Sequence, residues 1–396
     1  MYTKIKYLVL TLVLAACILL VRRQPELSII NSQYEMAKKS VTPSPSHLKP
    51  QKPLINTSAK ETLEKLSGPG KKAGKKDLPK RILFWNDFYG SRNYGFCCGR
   101  NPFRKAKCPV WNCQTTKFRN ESLETIDAIV FHQRKLKTDD LPAKRFPSQQ
   151  YVFLSLESPS YKEKIVYKQW NQFFNLTMTY RLDSDVPMPY GTVVKTTSRN
   201  KTAFGLEILE EKTGLAAWFV SHCNTVSQRE LVVKKLMKHL PDNSVHIYGS
   251  CGTLKCNDKE ECWKMVSKSY KFYFSLENSI CKDYVTEKLF EAMKYNVIPV
   301  VLGGADYADM LPPKSFINVE DFKSIKELGE YLTFLDRTPD EYLKYFKWKT
   351  SHEVLNSKKD INAAFCRLCA KLHEDPKHKS IGDLEDWWVT QSKCRN

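Results

Sequence analysis

Short apolar runs separated by stretches of helical spacing organise the chain from Lys80 onward. Arg81–Trp85, Ala128–Phe131 and Tyr151–Ser155 read as buried strands, too short and too uniformly apolar for surface helices. Beyond Tyr190-Gly191 the alternation becomes regular. A strand at Ala217–Val220 precedes a helix over Gln228–His239, in which Leu231, Lys235, Leu236 and Leu240 suit one amphipathic pattern. A strand at Val245–Tyr248 ends at Gly249, and a cysteine-rich stretch follows. Next come a strand at Phe272–Leu276, a helix starting near Tyr284, and a strand at Val297–Leu302 ended by Gly303-Gly304. Strand, helix and strand in repetition predict an α/β protein with parallel sheets covered on both faces. Ligands of such sheets sit at the carboxyl ends of strands, beside helix N-termini.

Two cations fall where that rule places a ligand. In DYVTEKLFEA (Asp283–Ala292), Lys288 occupies the first turn of a helix that follows the strand-end loop Glu277-Asn278-Ser279. Helix starts favour acidic residues, because their unpaired N–H groups carry partial positive charge. A lysine there points outward on its stem or meets an anion. Arg229 stands equivalently in the preceding helix, so two parallel strands deliver two cations and two helix N-termini to one crevice, a site of about diphosphate charge. Neither G-x-G-x-x-G nor G-x-x-x-x-G-K-S/T occurs, which excludes a dinucleotide fingerprint and a P-loop as the cradle.

Charge and cysteine place the protein in the cell. The net charge of +20 is uneven, with 14 Lys/Arg against 5 Asp/Glu between Arg22 and Arg81. That stretch is rich in Pro and Ser and lacks interleaved aromatics, so it reads as a disordered stem rather than a nucleic-acid tail. Before it, Ile5–Val21 is apolar except for Lys6 and continues past its small residues and past Cys17. A signal-anchor helix fits better than a cleaved signal peptide or a lipobox. Of thirteen cysteines, twelve follow the anchor. They cluster at Cys97, Cys98, Cys108 and Cys113, at Cys251, Cys256 and Cys262, and at Cys366, Cys369 and Cys394. With four sequons (Asn56, Asn120, Asn175, Asn200), they favour an oxidising lumen and structural disulfides. A zinc half-site or a redox pair at Cys366-x-x-Cys369 is the alternative. The expected topology is a type II membrane protein with its body in the lumen.

Four blocks, in order, carry a resemblance: YVFLSLESPS (Tyr151–Ser160), FNLTMTYRLDSDVPMPYG (Phe174–Gly191), AAWFVSHCNTVSQRE (Ala216–Glu230) and FYFSLENSICKDYVTEKLFEAMKYNVIPVVLGGADY (Phe272–Tyr307). Together they resemble the α1,3-fucosyltransferases over roughly residues 80 to 370. The resemblance implies a GT-B architecture, two Rossmann-like domains facing a cleft, with transfer of L-fucose from GDP-fucose with inversion. It implies a tail at 1–4, an anchor at 5–21, a stem at 22–79, an acceptor-side domain at 80–213, a GDP-fucose domain at 214–350, and a segment at 351–396 returning to the first domain. Carried over to this chain, Glu157 matches the general base, and Arg229 and Lys288 match the diphosphate ligands. Glu287 matches a donor-binding acid, while Tyr190, Ser221, Tyr273, Asn278 and Tyr284 match pocket positions. Tyr273 and Tyr284 read equally as ordinary core aromatics. The family resembles metal-independent enzymes, so Asp183-Ser-Asp185 is expected to be structural, with no metal site and Mn²⁺ at most stimulatory.

The acceptor is less defined. His222 stands where relatives often carry Asn, and Trp85-Asn-Asp-Phe-Tyr-Gly-Ser91 departs from the Pro-Phe-Gly-Gln pattern of enzymes acting on N-acetyllactosamine. His132 is a candidate on the acceptor side. The expected acceptor is a GlcNAc hydroxyl of an N-glycan core, lactosamine or LacdiNAc on a glycoprotein or glycolipid. A Golgi membrane location is expected, with a homodimer as a candidate assembly and no nucleic-acid partner. The rivals are a transferase using another nucleotide sugar and a catalytically silent relative on the same fold.

Overall fold

The computed structural model describes residues 78–160, 165–196, 204–355, 357–374 and 379–395. The expected tail, anchor and stem, apart from Leu78 and Pro79, lie outside these residues, as do the sequons at Asn56 and Asn200. Among the described residues, no helix is long and apolar enough to cross a membrane.

Two five-stranded parallel sheets form the α/β body. The first contains β1 (Lys80–Phe84), β2 (Cys113–Thr116), β3 (Ala128–His132), β4 (Gln150–Ser155) and β5 (Leu176–Thr179), in the order β2-β1-β3-β4-β5. Ile82, Leu83, Phe84, Val130 and Phe153 are fully covered, as expected of strands buried on both faces. The edge strands β2 (CQTT) and β5 (LTMT) are absent from the sequence-based prediction because they lack an apolar run. Their buried threonines are satisfied by hydrogen bonding: Thr115 Oγ1 donates to Phe96 O at 3.1 Å and Thr177 Oγ1 to Asp185 Oδ2 at 2.9 Å.

After a short strand, β6 (Val193–Lys195), the second sheet contains β7 (Gly214–Phe219), β8 (Val245–Tyr248), β9 (Tyr270–Leu276), β10 (Ile298–Leu302) and β11 (Ile317–Asn318). Its order is β11-β10-β9-β7-β8, again all parallel. Both sheets thus repeat one arrangement, in which the first strand has the second on one side and the third on the other. Each therefore has a switch point, between β1 and β3 and between β7 and β9, where connections diverge and leave a crevice. Gly249 closes β8 at φ +99°, where a Cβ would lie 2.5 Å from Val220 O, so only glycine permits the strand ends to approach so closely.

Helix α1 (Arg229–Met237) follows β7 and α3 (Glu287–Lys294) follows β9. Between them, α2 (Lys259–Ser269) occupies the cysteine-rich stretch, for which no helix was expected; Asp258 caps it, accepting from Glu261 N at 2.8 Å. Further on are α4 (Ile325–Arg337) and, after β12 (His352–Val354) pairs antiparallel with β6, α5 (Ser357–His373). The C-terminal segment packs on the first sheet: Ala364, Phe365, Leu368, Leu384 and Trp388 are fully buried in the core of that sheet.

Six disulfides join the twelve described cysteines: Cys97–Cys98, Cys108–Cys366, Cys113–Cys369, Cys223–Cys251, Cys256–Cys262 and Cys281–Cys394. Cys366 and Cys369 bond to separate partners, so the zinc and redox readings of that pair give way to a double tie between α5 and the front of the chain. Of the described sequons, Asn120 is exposed. Asn175, by contrast, is buried. It is 6% exposed, its Nδ2 donates to Lys379 O at 2.9 Å, and its Oδ1 accepts from Tyr151 N at 2.7 Å.

The buried Cys113–Cys369 bridge yields a stability prediction. Replacing both residues by Ala should cost about 2–5 kcal/mol, seen as a lower Tm by calorimetry. An unchanged Tm would mean that this bridge does not hold α5 to the first sheet.

Candidate active site

The loops at the switch point of the second sheet carry Arg229 and Lys288. Arg229 opens α1 and is 3% exposed. Its Nη1 donates to Leu276 O at 2.7 Å and its Nη2 to His222 O at 3.2 Å, tying it to the ends of both central strands. Burial lowers its pKa, an effect opposed by Glu277 and Glu230. Its Nε has no partner among the described residues, which marks a guanidinium with donor capacity to spare.

Lys288 lies in the first turn of α3. Its Nζ donates to Thr286 Oγ1 at 2.8 Å and to Glu277 Oε2 at 3.2 Å, and it lies 3.5 Å from Glu287 Oε1. Burial works against its charge, but Glu277 and Glu287 outweigh that and hold its pKa above the ordinary lysine value. Neither helix start is capped by a side chain: Gln228 makes no cap bond, and Thr286 turns its hydroxyl to Glu277. The uncapped N–H groups therefore add to the two cations.

Glu277 is the residue that sequence reasoning passed over, although its strand-end loop was singled out. It has 0% exposure and accepts from Thr286 N at 2.7 Å, from Thr286 Oγ1 and from Lys288. Burial and the nearby Glu287 raise its pKa, while Lys288 and Thr286 counter them. A charged residue ending an otherwise apolar strand, FYFSLE, was the available signal.

The remaining donor-side candidates divide. Ser221 and Glu287 are exposed, and Asn278 is half-buried with its Oδ1 unpartnered among the described residues. Tyr273 is instead a core aromatic, 2% exposed and packed on Trp263 (4.7 Å) and Phe219 (5.6 Å), which favours the packing alternative for this residue. Tyr284 is also buried, with its ring 4.9 Å from Tyr180 and 6.4 Å from Tyr190.

At the carboxyl ends of the first sheet's strands, Glu157 follows β4 and meets the loops after β1 and β3; its side chain is 17% exposed. Tyr89 donates to Glu157 Oε1 at 2.9 Å, and Arg134 Nη1 lies 3.8 Å from the same oxygen. His132 does not reach the crevice. It is 1% exposed, and its Nδ1, which must carry the proton, donates to Asp87 O at 2.8 Å. Burial pushes its pKa down to about 4, so it is neutral and supports the loop after β1.

Direct bonds bring the two sets of strand ends together. Ser158 Oγ, next to Glu157, donates to Ser279 Oγ at 2.8 Å, and Ser160 Oγ lies 3.4 Å from Cys281 Sγ. Leu182 N donates to Asp283 Oδ2 at 3.1 Å, and Tyr190 OH donates to Leu156 O at 2.6 Å. Asp183 and Asp185 belong to separate frameworks. Asp183 binds Arg181 (2.6 and 2.8 Å) and Lys282 (2.8 Å); Asp185 accepts from Thr177 and pairs with Lys379. These contacts bring the loop that carries Glu157 against the loop between Arg229 and Lys288, so that a carboxylate and two fixed cations stand on meeting strand ends.

Comparisons with known proteins bear on this arrangement. The family model "Fucosyltransferase, N-terminal" matches residues 77–191, and "Glycosyltransferase family 10 (fucosyltransferase) C-term" matches residues 209–387. The chain is 37% identical over 346 residues to Alpha-(1,3)-fucosyltransferase C of Drosophila melanogaster, covering 80% of this chain and 79% of that protein. It is 34% identical to Alpha-(1,3)-fucosyltransferase fut-1 of Caenorhabditis elegans (77% and 68% covered). To 3-galactosyl-N-acetylglucosaminide 4-alpha-L-fucosyltransferase FUT3 of Bos taurus it is 36% identical (78% and 82% covered). Among solved structures, an alpha1,3-fucosyltransferase with GDP shares the fold at a TM-score of 0.50 and 21% identity, covering 77% of this chain and 95% of that one. The matched models span both sheets and both switch points, and the chain belongs to glycosyltransferase family 10, the fucosyltransferases.

Proposed function

We propose that the protein transfers L-fucose from GDP-fucose, with inversion, to a GlcNAc hydroxyl of a glycoprotein or glycolipid glycan. The observation that carries the reading is the pairing of Arg229 and Lys288 at two uncapped helix starts with Glu157 across the Ser158–Ser279 contact. Family membership supports the donor. In this reading the two sheets are the halves of a GT-B enzyme, divided near residues 213 and 350, with the C-terminal segment returning to the first half. A signal anchor at 5–21 holds it in the Golgi membrane with the body in the lumen, as the apolar run and the disulfides support.

In the reaction the acceptor oxygen attacks the anomeric carbon as the bond to the GDP phosphate breaks. The hydroxyl proton passes to Glu157. An alcohol is a far weaker acid than a carboxylic acid, so this transfer comes late in the attack. Negative charge builds on the leaving diphosphate, where Arg229, Lys288 and the helix N–H groups oppose it. Glu277 fixes Lys288 and Thr286, and Glu287, half exposed beside Lys288, is placed for sugar hydroxyls. Fixed cations thus hold the diphosphate. The acceptor class stays as broad as the N-glycan core, lactosamine and LacdiNAc.

The first test is a thermal shift of the full-length protein with GDP, UDP and GDP-fucose, each with and without EDTA. Stabilisation by GDP that survives EDTA is expected; stabilisation by UDP alone, or only with metal, would overturn the donor assignment. Glu157→Gln should lower kcat by about 100-fold or more while GDP affinity stays near wild type. Equal turnover would remove Glu157 from the base role. Lys288→Ala should weaken GDP more than it weakens the acceptor, by about tenfold or more for a lost charge-assisted contact. Unaltered GDP affinity would refute the anion site. Glu277→Gln should weaken GDP less than Lys288→Ala does, because it leaves both cations in place but loosens Lys288; isothermal calorimetry would rank the two.

A further inference from the structure

The loop after β1 places an aromatic side chain on the base in an unfavourable backbone conformation. Phe88 and Ser91 exchange both backbone hydrogen bonds (3.0 and 3.1 Å), and between them Tyr89 has φ +48° and Gly90 φ +81°. Two successive positive φ values define a type I′ turn, which favours Asn-Gly or Asp-Gly. Gly90 suits it. Tyr89 does not, because a bulky residue in the left-handed region is strained. Such strain persists where the surroundings enforce it, and it clusters at working sites.

The surroundings do enforce it. His132 holds Asp87 O from below, with its ring 4.9 Å from Phe88 and 5.0 Å from Tyr89. Arg92 Nε lies 3.6 Å from Asp87 Oδ1, and Arg92 Nη2 donates to Trp85 O at 3.3 Å. The turn therefore aims Tyr89 at Glu157, yet leaves the tyrosine 47% exposed. Burial of the hydroxyl and the charge of Glu157 raise its pKa, so it keeps its proton and is available to donate to Glu157. The Tyr89 and Arg134 contacts both fall on Oε1, which leaves Oε2 to receive a proton.

We propose that Tyr89 is a positioning residue for fucosyl transfer, its hydroxyl fixing Glu157 through Oε1 while its exposed ring forms a platform for the acceptor sugar. The inference rests on the reading of Glu157 as the base of that reaction. It assigns a task to the segment in which this chain departs from the Pro-Phe-Gly-Gln pattern, and so makes that segment a determinant of acceptor choice.

The test compares the full-length chain with its Tyr89→Phe and Tyr89→Asn variants. The assays use GDP-fucose with N-acetyllactosamine and with an N-glycan core oligosaccharide. Tyr89→Phe keeps the ring and removes the donor. It should lower kcat about tenfold, the scale of a hydrogen bond to a charged group, with GDP affinity unchanged. The acid limb of its pH–rate profile should move to higher pH, because the ionised base loses a donor. Tyr89→Asn suits the turn, so Tm should stay level or rise while the acceptor KM rises several-fold. Wild-type kinetics and pH profile in both variants would overturn the proposal, as would a fall in Tm that alone accounts for the lost activity. If the unmodified chain transferred no fucose to either of these or to LacdiNAc, the fucosyl-transfer reading itself would fall, and this role with it; wild-type transfer with unaltered variants would remove only the role of Tyr89.

Discussion

A buried carboxylate needs compensation from hydrogen bonds and opposite charge, and the loop from β9 to α3 is organised around meeting that need for Glu277. Its oxygens receive Thr286 N, the Thr286 hydroxyl and the Lys288 ammonium. Removing those donors would leave an unpaired charge with no access to water. The need is met by turning the hydroxyl of Thr286 away from the helix it would otherwise cap, and that leaves the helix start bare. The same carboxylate thus holds the cation in place and leaves N–H groups available beside it. Glu277 and Glu287 balance Arg229 and Lys288 formally, so the cations are kept oriented at modest net charge.

A second constraint is the close meeting of the two sets of strand ends. Ser158 and Ser279 touch, Asp283 accepts from Leu182 N, and Tyr190 reaches back to Leu156 O. These bonds link the loops beside Glu157, the segment after β5 and the loop that leads from β9 to α3. Glu157 and the two cations are thereby linked by short polar contacts between their loops.

The fold was legible in the sequence wherever a strand was central. β1, β3, β4, β7, β9 and β10 each contain an apolar run because both faces are covered there, and each was read within a residue or two at most ends. The edge strands β2 and β5 were not legible. One side of such a strand has no neighbour, so threonines bonded locally replace the apolar run. α2 was hidden by Cys256 and Cys262, which draw attention as a cross-link although Asp258 and the acidic first turn signal a helix start. At the site, Arg229 and Lys288 were readable from spacing alone, because position in a first turn is a local property. The roles of Glu277, His132 and Tyr89 depend on what lies across a sheet or beneath a turn, and chain order does not encode such contacts directly.

The two sheets differ in how their cores close along the chain. β7 to β11 span residues 214 to 318 and collect their partners from nearby sequence. The first sheet waits for α5, whose Cys366 and Cys369 bond to Cys108 and Cys113 across 258 and 256 residues, and for Trp388. During synthesis from the N-terminus, the sheet that is made first is therefore the one completed last. Its exposed strands and unpaired thiols must persist until nearly the whole chain has emerged, so the sheet that bears Glu157 stays open to mispairing for longer than the sheet that bears Arg229 and Lys288.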